Sequence, residues 1–119
     1  MRVKGAILSA LLLCTSACAK ETGDADLNVS SASYVMTGCR SFMARSGDLR
    51  TAYASGLCAG KVEAVAVFDS GICFPSEATV GQMIRVVARY IDQRPARLHE
   101  NFMILARDAM QETWPCNRR

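Results

Sequence analysis

From residue 32 onward, apolar side chains recur three or four positions apart, and no stretch sustains the alternation of apolar and polar residues that marks a strand. The pattern predicts four helices. The first, about Ala32–Arg45, lines up Tyr34, Val35, Cys39, Phe42 and Met43. The second, about Leu49–Asp69, carries Leu49, Tyr53, Leu57, Ala64 and Val67 on the stripe assigned to it. The third, about Val80–Gln93, faces Met83, Ile84, Val87, Tyr90 and Ile91 one way, with Arg85 and Arg89 off that face. The fourth, about Ala96–Thr113, joins Leu98, Phe102, Leu105, Ala109 and Met110 and turns Arg97, Glu100, Asp108 and Glu112 outward.

The punctuation supports these bounds. In "SGD", Gly47 is the expected terminator of helix one and Asp48 the expected N-cap of helix two. In "SGICFPSEAT", Gly71 ends helix two, Pro75 stops it from continuing, and Thr79 with Gln82 spells a capping box. Between helices three and four only "RP" is left as a turn. Such short connections make successive helices antiparallel neighbours, which predicts a small all-α, up-down-up-down four-helix bundle. Gly56 and Gly60 fall on one face of helix two, where each costs up to about 1 kcal/mol relative to alanine unless a neighbouring helix approaches closely.

The first residues read differently. "MRVK" is basic, "GAILSALLLC" is apolar but too short to span a membrane, and "TSACAK" supplies small residues. Residues 1–19 are therefore predicted to be a secretory signal cleaved after Ala19, and residues 20–31 a flexible lead-in to the domain at 32–119. The alternative is a lipoprotein signal with Cys18 as the lipidated first residue, which would anchor the protein in the envelope. Removing Arg2 and Lys4 takes the 14 basic residues to 12 against 11 acidic, a net charge of +1. So balanced a chain has no electrostatic reason to seek nucleic acid, or a membrane unless Cys18 is lipidated.

Four cysteines remain, and in an exported chain of this size they predict two disulfides. No C-x-x-C pair exists and His99 is the sole histidine, so neither a metal site nor a cofactor is expected. Cys39 lies seven residues before Ser46 and Cys58 ten after Asp48. At about 1.5 Å per residue both sit at a similar height above the first hairpin's tip. Cys73 and Cys116 each follow a helix at the opposite end. The expected pairs are Cys39–Cys58, with Gly56 permitting close approach beside it, and Cys73–Cys116.

Catalytic machinery is not evident. A single histidine would have to serve any Ser/His or Cys/His scheme, and His99 is better read as an exposed residue at the start of a helix. The methionines follow the apolar stripes and read as core. The turn around Arg94, Pro95 and Arg97 reads first as a solvated corner and second as a protruding element that docks on a partner.

Taken in order, "GCRSF", "GLCAGKVEAV", "ICFPSEATVGQM", "VVARYIDQRPARLHE" and "ILARDAMQETWPC" resemble the Rap/Tai immunity proteins over Gly38–Cys116. One departure is "GLCAGK", where relatives often place an aromatic residue after a glycine. The resemblance implies a periplasmic, non-enzymatic homodimer that binds and inhibits a peptidoglycan amidase effector of type VI secretion. It associates the inhibitory contacts with the region around Tyr90 and Pro95, making Arg94, Pro95, Arg97 and His99 the partner-binding candidates. The competing readings are a disulfide-stabilised helical envelope protein that holds a small apolar ligand between its helices, and an envelope domain with a different partner.

Overall fold

The computed structural model describes residues 28–117, so the predicted signal segment and Cys18 lie outside the described residues. Four helices follow one another: α1 (Ala32–Ala44), α2 (Leu49–Phe68), α3 (Val80–Asp92) and α4 (Phe102–Thr113), with a short 3-10 turn at Pro95–Arg97. No strand forms among these residues; two isolated bridges, Ser31 with Asn101 and Ile72 with Pro115, are the only extended pairings.

The helix starts are built as the sequence implies. Asp48 accepts the Thr51 backbone N–H at 3.0 Å. Thr79 and Gln82 close a reciprocal capping box, at 3.2 Å and 2.8 Å. The first helix ends differently from expectation. Arg45, not Gly47, takes the left-handed conformation (φ 53°), and its N–H donates to the Ser41 and Phe42 carbonyls.

A single core gathers one face of each helix: Val35, Met36 and Cys39 from α1, Cys58 and Val62 from α2, Ile84, Val87 and Ile91 from α3, and Phe102, Leu105 and Met110 from α4. On α2 the expected stripe is rotated away. Leu49, Tyr53 and Val67 are exposed, at 90%, 72% and 72%, whereas Cys58, Val62, Val65 and Ala66 face inward. Helix two is apolar on more than one side, so its periodicity leaves the buried side undetermined, and its disulfide selects it.

Both predicted disulfides form. Cys39–Cys58 has a Cα separation of 5.2 Å. Cys73–Cys116 has 4.9 Å and is flanked by the Cys73 N–H donating to the Trp114 carbonyl at 2.9 Å. The close approach of α1 to α2 is at Gly38, not Gly56. A Cβ on Gly38 would run into the Ala54 carbonyl, whereas a Cβ on Gly56 or Gly60 would meet open space. The glycine that lets the hairpin close thus belongs to the other helix.

Helix four begins six residues later than its apolar spacing predicts, and "RP" expands into a connection running from Gln93 to Asn101. The carbonyls a continuing helix would need are used elsewhere. Leu98 and Glu100 accept the N–H groups of Ser33 and Ala32, at 2.9 Å and 2.8 Å, and the Phe102 N–H donates to Ser30 at 2.8 Å. The Asn101 side chain then caps the new start by accepting the Met103 N–H at 2.9 Å. Arg40–Asp92 (2.8 Å) ties the C-terminal half of α1 to the end of α3, and Ser31–Asn101 ties the start of α1 to the start of α4. The connection therefore travels along α1, and α4 starts beside the start of α1 and borders the C-terminal part of α2.

Candidate interaction corner

The α3–α4 connection, where the sequence places its partner-binding candidates, is organised around Arg97. The 3-10 turn starts at Pro95, whose ring presets the backbone and lacks the N–H that a helix start leaves unpaired. That turn aims the Arg97 guanidinium back at the body of the protein. Its Nε and Nη2 donate to the two carboxylate oxygens of Glu100 at 2.7 and 2.8 Å. Nη2 also reaches Asp108 on α4 at 3.2 Å, and Nη1 donates to the Tyr90 hydroxyl of α3 at 3.1 Å. One side chain thereby fastens three consecutive elements.

The electrostatics follow from this geometry. Hydrogen bonding to Glu100 raises the Arg97 guanidinium further above its ordinary value, against partial desolvation. The same hydrogen bonds hold the Glu100 carboxyl below the usual glutamate range. Arg97 is a half-buried fork in a bidentate pair, the geometry in which arginine and carboxylate bind best.

The other candidates are arranged around that clamp. Arg94 lies over the Tyr90 ring, 3.6 Å from guanidinium carbon to centroid, and its Nη1 donates to the Tyr90 carbonyl at 3.0 Å. Its other nitrogen is 3.8 Å from Glu112. Pro95 and His99 are exposed. The structure thus brings Arg94 and Arg97 together on one tyrosine as internal ties, and leaves Pro95, Ala96 and His99 exposed.

Sequence reasoning set Glu100 and Asp108 on a solvated face and missed their role. Arg97 and Asp108 are eleven residues apart, three turns on one face of a continuous helix and about 16 Å along its axis. Only the break before Phe102 folds them into contact, and that break depends on residues 30–33, far away in sequence.

Among the described residues no helix is long and apolar enough to cross a membrane. The cysteines are all engaged in disulfides there, and no three of His, Cys, Asp or Glu gather as metal ligands. Neither the curated proteins nor the solved structures contain a significant match to the chain. A family model, that of the Rap1a immunity proteins, matches residues 13–116. That span takes in both disulfides, all four helices and the Arg97 corner, and the chain belongs to the Rap1a immunity protein family.

Proposed function

We propose that this protein is exported to the periplasm, where it binds and inhibits a peptidoglycan amidase effector of type VI secretion and so protects the cell that makes it. The family match carries this reading. Two features support it. The disulfides suit an oxidising compartment, and the Arg97 clamp holds an exposed Pro95–Ala96 turn on a stiff base. A docking element that is already ordered loses little entropy on binding. In this reading Pro95 and His99 touch the effector, and Arg94 and Arg97 position them. The reading includes cleavage of the leader after Ala19 or, if Cys18 is lipidated, an anchored form. It also includes a homodimer, for which exposed Phe68 and Ile104 on adjoining parts of α2 and α4 supply apolar surface.

The test is protection. Cells carrying a periplasm-directed amidase effector from the same genome should survive when this full chain is co-expressed, and effector and protein should co-purify as a stable complex. Replacing the exposed His99 with alanine should weaken the complex while leaving the unfolding midpoint unchanged. Lysis despite ample folded protein would overturn the reading. Light scattering at two protein concentrations tests the dimer separately.

A further inference from the structure

A second surface lies on the other side of Tyr90. Between α3 and the end of α4 runs an open groove of about 290 Å³, bordered by Arg85 and Arg89 on α3, by Gln93 just past its end, and by Glu112 and Thr113 on α4. Arg85 and Val86 also border a second hollow of about 370 Å³, walled by Trp114 and Pro75, so the two hollows adjoin at that pair and together make a trough along α3. Arg85 and Arg89 are one helical turn apart and both exposed. Unlike Arg40, Arg94, Arg97 and Arg107, neither is joined to a carboxylate among the described residues. The two carboxylates on the trough sit towards its ends: Glu77 in the Trp114 hollow, and Glu112 within 3.8 Å of Arg94.

We propose that this trough binds an extended, acidic peptide segment of the protein partner, with Arg85 and Arg89 pairing its carboxylates and Trp114 and Tyr90 packing against its apolar side. Charge complementarity names the ligand class: two unpaired guanidiniums over a partly apolar floor, with room for bidentate pairing. Length selects a segment over a single anion. From Gln82 to Gln93 the trough follows α3 for about 16 Å, the reach of about five extended residues. The identity of the partner rests on the immunity reading; the trough's preference for acidic peptides does not.

Trp114 is the chain's one tryptophan, so its fluorescence reports on the trough directly. The full mature chain is titrated with an acetylated six-residue peptide of alternating glutamate and aspartate, and with its glutamine/asparagine counterpart. The expected result is a saturable change with the acidic peptide alone. It should weaken at least tenfold in Arg85→Gln/Arg89→Gln and fall steeply between about 0.02 and 0.3 M salt, as the screening length shortens. Both side chains are exposed, so the double variant should keep its unfolding midpoint; Arg85→Lys/Arg89→Lys should retain part of the binding. No saturable response, an equal response to the neutral peptide, or unchanged binding in the glutamine variant overturns the proposal. Failure of the wild type to protect cells would sink the immunity reading and leave this titration to decide the trough.

Discussion

Gly38, Gly56 and Gly60 all lie inside helices, yet they answer to different physics. At Gly38 the missing Cβ is what allows α2's backbone to approach, because a methyl there would overlap the Ala54 carbonyl. Backbone yields poorly, so Gly38→Ala should lower stability by about 3 kcal/mol, the upper end of the usual overpacking cost. Gly56 and Gly60 are exposed and their missing Cβ atoms would meet nothing. There alanine should raise stability by about 0.5–1 kcal/mol at each position, because only helix propensity and chain entropy change. Chemical denaturation of the three single variants checks the opposite signs. Arg45 is the converse case, a side chain where glycine belongs. Its left-handed conformation strains an L-residue, so Arg45→Gly should gain roughly 0.5–1 kcal/mol after the added entropy of the unfolded chain is subtracted.

Among the elements, those whose determinants are local were legible in the sequence. The Thr79–Gln82 box and the Asp48 cap depend on residues three apart, and both formed where their spelling placed them. The apolar face of α3 followed from periodicity in full, and those of α1 and α4 in the main, although Met36 joins the α1 core from outside its predicted stripe and Met103 and Ile104 leave α4 a second, exposed apolar side. The stripe on α2 was misassigned because that helix is apolar on more than one side, although the predicted Cys39–Cys58 bridge already pointed to Cys58 as an inward position; the start of α4 was not legible, because hydrogen bonds from residues 30–33 choose it. The candidate corner suffered for the same reason: Arg97 was visible as a charge near a proline, but not as a clamp. That clamp has a pH signature. Glu100's carboxyl is held below its ordinary value of 4.5 in the folded protein, so its contribution is complete above that pH and is lost as pH falls through the lower, folded value. Arg97 stays charged throughout. The thermal midpoint should therefore drop more steeply on acidification below about pH 4.5 in the wild type than in Glu100→Gln, where that titration is absent.

At the scale of the molecule, two disulfides divide the work of stapling. Cys39–Cys58 closes 19 residues inside the core, and both sulfurs are fully buried. Cys73–Cys116 closes 43 residues at the periphery, where Cys73 is exposed. In the chain-entropy account, the longer loop contributes about 4 kcal/mol and the shorter about 3 kcal/mol. Under mild reductant the accessible bridge should open first, so timed alkylation and mass spectrometry should label Cys73 and Cys116 well before Cys39 and Cys58.

Helix four illustrates what that outer staple does. Phe102 at its start donates to Ser30 and the residues just before it are laced to Ala32 and Ser33, while the segment just past its last turn is locked to the segment after α2 through Cys73–Cys116 and the Ile72–Pro115 bridge. Helices ordinarily unzip from an end, where the amides are least protected. Here neither end is loose. Amide exchange along Leu105–Met110 should therefore proceed only through global opening of the oxidised protein, and reducing the outer bridge should convert the same helix into one that frays inward from Thr113.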